Sequence, residues 1–486
     1  MQSAWSQQWA LSEFGAAEFG DKRRTDRLVK VAAGLVRQPA GTVTSVFDNS
    51  ADRLGAYRML SNLEVKLEEV RKASAMATVR RCARRDFVFV PVDGSTLTFA
   101  DEKQVRELGK VGTHGTKARG LEAMTAIAVE PDGTPAGLLA QSWWRRRPGG
   151  TRVPARKRKL SQKETRYWLA TIEEAAGRLA EAGGPKPWFQ LDRGGDFREM
   201  LTFAQAAPFW ITFRAAQDRC ILAPARGRLW DVLAGRKALG AVELAVAGRD
   251  KPRRTTRIAH LELRTAQLDV RLKDRWNKTS TTARLWAVMV RETGTAPEGE
   301  APIEWLLWTN RPVLTLADAA LVVYGYSQRW RIEEMHKTWK SVCCIEDSQL
   351  WRMDTLAKWA TVSAAVAMRT ERLKRRARTE PELPATAELT RDEIDAAILL
   401  REPEGVEPGH TPSLATCVDW IAEIGGYTGR TNSRGPPGSI VLGRGLERIT
   451  HLATALPRLR ALAGRQAAPP DTPPPSAAAS KRRRSD

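Results

Sequence analysis

The sequence predicts an α/β protein with helical regions at both ends, and three observations carry that prediction. Short apolar runs alternate with helix-like segments from about residue 71 onward: Phe87–Val92 and Lys186–Leu191 each read as a strand, and Pro208–Phe213 follows the helix-like stretch Asp196–Ala207. Residues 220–305 change to a period of two, in Val242, Leu244 and Val246, in Leu261 and Leu263, and in Leu268, Val270 and Leu272. That alternation predicts antiparallel strands with one face in water, a β-rich insertion in the α/β region. Helical periodicity returns near Leu316 and dominates residues 366–465.

Taken in order, residues 1–70 read as helical. Asp21 can cap a helix on which Leu28, Val31, Ala32, Leu35 and Val36 recur at three- and four-residue intervals, and Pro39 stops it. Arg23, Arg27 and Lys30 share a face opposite much of that stripe, suited either to water or to DNA phosphates. Arg145–Lys159 holds eight basic residues, no acid, and Pro148, Gly149, Gly150 and Pro154, so it reads as a loop suited to a DNA backbone. The segment from about Ala467 to Asp486 is rich in proline, alanine, serine and charge and cannot build a core, which predicts a disordered basic tail.

A chain of 486 residues is too long for one ordinary core. It contains no run of about eighteen or more apolar residues, so no membrane span is expected, and no secretory signal is recognisable. Lysine and arginine number 78 against 56 acids, a net charge of +22, while the terminal Lys481–Arg484 run supplies only four. An excess spread over the body attracts polyanions, most often nucleic acid. The five cysteines (Cys82, Cys220, Cys343, Cys344, Cys417) show no paired zinc spacing and read as reduced, in keeping with a cytoplasmic, nucleoid-associated protein.

No HExxH, GxSxG or Walker phosphate loop is present, and Gly109–Lys117 is glycine-rich at the wrong spacing. The remaining chemistry is acidic. Asp93 and Asp192 each follow a predicted strand, and residues there face the crevice of an α/β sheet, although either alone also suits a turn. Two carboxylates brought together repel, and a divalent cation such as Mg²⁺ relieves the repulsion. The stretch Tyr326–Lys340 adds a third acid. Wound as one helix at about 100° per residue, it brings Tyr326, Arg329, Glu333 and Lys340 within an arc of about 60°, with Glu334 outside. An i,i+4 salt bridge from Glu333 to Lys337 is the bland reading of this face; completion of a metal site beside a phosphate grip is the functional one.

The Tyr326–Lys340 stretch, YSQRWRIEEMHKTWK, resembles the Y-(2)-R-(3)-E-(6)-K signature of bacterial insertion-sequence transposases of family four. FGDKRRTDRLVKVAA near the start, GAYRMLSN at 55–62, LGKVG and KARG at 108–120, GLLAQSWW at 137–144 and EWLLWTNRPV at 304–313 extend the resemblance almost from end to end. It implies an RNase-H-like catalytic core over 71–365, an N-terminal helical DNA-binding domain over 1–70 and a C-terminal helical dimerisation region over 366–466. The implied triad is Asp93, Asp192 and Glu333, holding two Mg²⁺ or Mn²⁺ ions. Arg214, Tyr326, Arg329 and Lys340 are the implied grip on end phosphates, and Trp305 the implied receiver of a flipped base. The implied activity is cut-and-paste transposition by nicking, hairpin formation, hairpin opening and strand transfer. Its partners are double-stranded DNA, as transposon ends and target, and a second copy of the chain; the alternative is a catalytically silent DNA-binding derivative. Two departures stand out. Pro91 predicts an irregularity in a central strand two residues before Asp93, and the loop at 145–159 is unusually basic.

Overall fold

The structure, a computed structural model, describes residues 4–112, 116–146, 158–246, 248, 254–274, 279–429 and 435–466. The expected tail, the core of the basic loop (147–157) and residues 430–434 lie outside the described residues.

Four helices open the chain: α1 (Ala4–Phe14), α2 (Lys22–Arg37), α3 (Ser50–Ser61) and α4 (Leu67–Cys82). Asp21 caps α2 by accepting from the Arg23 amide at 2.9 Å, and the helix ends at Arg37, before Pro39. The predicted apolar stripe of α2 is buried. A domain boundary at residue 70 falls inside α4, whose Val70 and Ala73 pack into one core while Val79 and Cys82 pack into another.

The sheet begins with β1 (Phe87–Phe99), β2 (Gly109–Lys110), β3 (Arg119–Val129) and β4 (Pro135–Trp144), and continues through α5 (Arg166–Glu181), β5 (Lys186–Leu191), α6 (Arg198–Ala206) and β6 (Trp210–Arg214). The inserted region supplies β7 (Cys220–Ile221), β8 (Gly227–Arg228), α7 (Leu229–Ala234), β9 (Gly240–Val246), β10 (Arg257–Asp274) and β11 (Thr279–Glu292), after which β12 (Glu304–Thr309) returns to pair with β6. Among the described residues twelve strands form one sheet, in the order β2-β3-β1-β5-β6-β12-β11-β10-β7-β8, with β4 also on β3 and β9 also on β10. β3 runs antiparallel to both its neighbours, β4 and β1, whereas β1, β5 and β6 run parallel.

Odd residues of β1 (Phe89, Leu97, Phe99) pack into the core on the front face, and even ones (Val88, Val90, Val92) into the core on the back face. The front is covered by α8 (Leu316–Ser327), α9 (Trp330–Ser341) and α10 (Met353–Thr379), the back by α5, α6 and α7. The last helices, α11 (Arg391–Arg401), α12 (Leu414–Ile424) and α13 (Ser439–Gln466), pack on one another and on α10. A boundary at residue 366 falls inside α10, a 27-residue helix that also packs on α2, α3 and α4.

Two strand expectations are corrected. β1 does not stop at Asp93 but runs on to Phe99, because its pairing with β3 continues from Asp93↔Thr125 to Phe99↔Arg119. What ends there is its other partner, β5, whose last pair is Val92↔Leu191. The irregularity expected at Pro91 is narrow: the ladder to β3 lapses at Val90 and Pro91 and resumes in the same frame, Phe89↔Val129 before it and Val92↔Ala126 after it. Proline lacks the amide donor for that rung, yet the frame does not slip.

Candidate active site

The sheet brings the two aspartates together by register. Val92 pairs with Leu191 on neighbouring parallel strands, so Asp93 and Asp192 stand side by side where β5 ends. By alternation both belong to the front face, with Phe89 on β1 and Trp188 and Gln190 on β5. Asp192 leaves β5 in extended conformation and caps a 3₁₀ turn, accepting from the Gly194 amide at 2.7 Å. Asp93 accepts from the Gly94 amide at 2.8 Å.

Glu333 comes to this face from α9, but the stretch Tyr326–Lys340 is not one helix. Tyr326 lies in the last turn of α8, Gln328 ends that helix, and α9 starts at Trp330. Amides of Arg329, Arg331 and Ile332 bond to carbonyls three residues back, a tightened junction that re-aims the chain. Tyr326, Arg329 and Glu333 still converge. Nη1 of Arg329 lies 3.4 Å from Oδ2 of Asp93, and Nη2 donates to Oε1 of Glu333. Glu334 points elsewhere, to Arg331 at 2.7 Å and Lys374 at 3.9 Å.

Electrostatics follow from the crowding. Burial raises the Asp93 carboxyl to about 7; Asp192 and Glu333 add to the rise, while Arg329 and the Gly94 amide oppose it. Burial works against the Arg329 charge, but Tyr326, Glu333 and Asp93 outweigh it and hold the guanidinium above its ordinary range. The Tyr326 phenol is pushed up by burial, with Arg329 and Arg214 pulling the other way. Its ring meets Trp305 edge-on at 5.1 Å between centroids. Trp305 is partly buried on β12, opposite Val290 of β11. Arg214 closes β6 and donates to the Glu304 carbonyl at 2.9 Å; burial lowers its guanidinium below the ordinary range.

Thus Asp93, Asp192, Glu333, Arg329, Tyr326, Arg214 and Trp305 gather on one sheet face. Lys340 sits farther along β1, with Nζ donating to the Thr96 carbonyl at 2.5 Å and lying 3.8 Å from Glu346. Together with Glu346, which accepts from the Thr98 amide at 2.7 Å, it satisfies the edge of β1 left open where β5 stops. Glu346 escaped the sequence reading because nothing in its spacing ties it to Lys340; Arg193, which adds a second positive charge beside Arg214, was legible in the Asp192-Arg193-Gly194-Gly195 turn and was passed over.

Among the described residues no three His, Cys, Asp or Glu side chains are gathered closely enough to hold a metal ion as they stand. The donor chemistry nonetheless fits a hard divalent cation: three carboxylates face one another, and like-charge repulsion contributes to the raised Asp93 carboxyl. The Arg329 guanidinium now serves as counter-ion to two of them.

In the N-terminal helices, Arg23 has a 90% exposed side chain paired, among the described residues, with its own cap, Asp21. Arg27 lies 3.1 Å from Asp52 of α3, to which Lys30 also donates, so these two tie α2 to α3. Tyr57 and Arg58 of α3 are exposed. No helix among the described residues is long and apolar enough to cross a membrane. Residues 6–65 match the family model described as Transposase DNA-binding, so the chain opens with a DNA-binding domain of the transposase type and DNA is its partner.

Proposed function

We propose that this protein is a DDE transposase of insertion-sequence family four, cutting and joining DNA at the ends of its own element. The observation that carries the reading is the convergence of Asp93, Asp192 and Glu333 on the front face of the sheet, in a chain that opens with a transposase-type DNA-binding domain. The sheet order β4-β3-β1-β5-β6, with three antiparallel strands followed by two parallel ones, supports an RNase-H-like core.

In this reading Asp93, Asp192 and Glu333 would hold Mg²⁺ or Mn²⁺. Bound there, the ions supply an activated water or DNA 3′-hydroxyl and stabilise the departing oxygen. Arg329 turns from its carboxylates to a DNA phosphate, which its planar fork can grip bidentately, and Arg214 holds a neighbouring phosphate. Tyr326 packs against Trp305, and an indole can stack on an extruded base during hairpin formation and resolution. A second copy of the chain, joined through the C-terminal helices, completes the synaptic complex.

The contact of Arg329 with both Asp93 and Glu333 favours one competing reading, a DNA-binding derivative without catalysis. Nicking of a duplex carrying the element's terminal repeat, with and without Mg²⁺, separates the two. The transposase reading expects metal-dependent nicking that Glu333→Gln, Asp93→Asn and Asp192→Asn each abolish by at least about a thousandfold while end binding changes little. Nicking retained by Glu333→Gln would exclude the triad; binding without nicking in the unaltered protein would establish the silent derivative.

A further inference from the structure

The β insertion carries an arginine-lined groove that neither the DNA-binding domain nor the carboxylate face uses. Past Trp286, β11 is buried on both faces, and the matching half of β10 packs Ala259, Leu261 and Leu263 into the front core. Nearer the paired ends only the back face is covered: Leu268, Val270 and Leu272 of β10 and Ala283 and Leu285 of β11 are buried, while Arg271, Thr282 and Arg284 between them are exposed. This open patch therefore lies on the same sheet face as Asp93, Asp192, Arg214 and Trp305.

β7 and β8 wall the patch into a groove of about 1080 Å³, lined by Arg226, Arg228, Arg271 and Arg284 against Asp231 and Asp269. Arg284 is clamped by Asp269, with both bonds at 2.8 Å, and Arg228 donates to the Asp218 carbonyl at 2.8 Å. These bonds hold the walls. Arg226 and Arg271 are exposed and make no ion pair among the described residues, so two guanidiniums face the groove without counter-ions. Pairing across the sheet levels Asp192 with Arg214, Leu307, Val288 and Thr265. Arg271 is then four strand spacings across from Asp192 and six residues along, roughly 28 Å away. That is less than one turn of duplex, about 34–36 Å.

We infer that this groove is a second contact for a DNA backbone, in which Arg226 and Arg271 each neutralise a phosphate of the duplex whose other end lies on the carboxylate face. The inference rests on the chain's binding of DNA and not on its cutting it. Cys220 lines the groove and is exposed, whereas Cys82, Cys343 and Cys417 are buried, so its thiol is a built-in probe.

Two measurements on the full chain test this, both with a 30-base-pair duplex and neither involving nicking. The salt dependence of binding is compared between the unaltered protein and the double variant Arg226→Gln, Arg271→Gln, both substitutions being on the surface. Loss of two phosphate contacts lowers the slope of log K against log salt by about 1.8. Alkylation of Cys220 by N-ethylmaleimide, with the half-buried Cys344 as internal reference, slows at least fivefold when duplex is added. An unchanged slope, or a Cys220 rate indifferent to DNA, overturns the assignment; protection by an acidic polypeptide but not by duplex would hand the groove to a protein partner instead.

Discussion

Asp93 shows what burial and neighbouring carboxylates do to an acid at the end of a sheet pairing. Burial first, then Asp192 and Glu333, lift its carboxyl from an ordinary 3.8 to about 7. A raised acid stabilises the folded chain fully below the unfolded value, and that contribution is lost as pH climbs toward the folded one. Between pH about 4 and 7 the unfolded chain has given up a proton that the folded chain still holds, so stability falls with pH and levels off above about 7. Asp93→Asn removes the titration. Urea unfolding of both proteins from pH 4 to 8 is expected to show the variant gaining on the parent by up to about 4 kcal/mol over that window; a constant difference would mean that Asp93 does not carry the raised value. At this scale the sequence was most informative where geometry had one solution. The arc that separated Glu333 from Glu334 assumed one unbroken helix, and the helix breaks before Trp330, yet Glu333 still meets Arg329 while Glu334 is spent on Arg331 and Lys374. Lys340 was placed on the same arc, yet the break before Trp330 and the open edge of β1 send it to Thr96. An open strand edge is a tertiary circumstance that spacing cannot reveal.

At the scale of elements, α10 holds the molecule together. It lacks glycine and proline and is alanine-rich, so it runs unbroken for 27 residues with most of its length buried. Three of its buried positions are charged, Lys358, Glu371 and Lys374. Nζ of Lys358 meets Asp354 at 2.5 Å and the carbonyls of Leu60 and Asn62 at 3.2 Å each. Those carbonyls belong to the C-terminal end of α3, so the lysine acts as an interhelical cap. Lys358→Met keeps the aliphatic stem but leaves the two carbonyls unmatched and is expected to cost about 3 kcal/mol in urea unfolding. The exposed Lys337→Met should stay within about 0.5 kcal/mol. Equal effects would refute the capping role. Element by element, β5, β6 and α6 were legible because their apolar runs are bounded by clear breakers. The β3–β4 pair went unread, although Asp132-Gly133, with Gly133 at φ +87°, is a hairpin signal between apolar runs. β10 was read as separate short strands because its buried set moves from odd to even positions after Leu263. Its register with β11 never shifts; the strand passes from one covered face to the other.

For the whole molecule, residues 70 and 366 lie inside helices that run from one packed region into the next. Periodicity and the family resemblance suggested helical domains flanking a core, yet both boundaries cut helices that pack against the sheet region. The DNA-binding segment is bound to the rest by buried polar ties that sequence cannot pair. Glu13 of α1, 3% exposed, accepts from Ser74 at 2.9 Å and from Arg81 at 2.7 Å, both on α4. Arg81 in turn donates to the Ala136 carbonyl of β4 at 2.6 Å. Separating the segment would strand the Glu13 carboxylate, the Arg81 guanidinium and the Lys358 ammonium away from their partners, each a cost of several kcal/mol. The N-terminal helices should therefore unfold with the sheet, not before it. Urea unfolding of the intact protein, followed by far-ultraviolet circular dichroism and by tryptophan fluorescence, is expected to give coincident midpoints. Trp5 and Trp9 of α1 allow the sharper version. With Trp5→Phe and Trp9→Phe in place, the remaining tryptophans report on the rest of the molecule, and the midpoint should match that from a probe attached to α1. An early transition confined to α1–α3 would show instead that the DNA-binding domain is a separate folding unit, and that its ties to α4 and α10 contribute orientation and not stability.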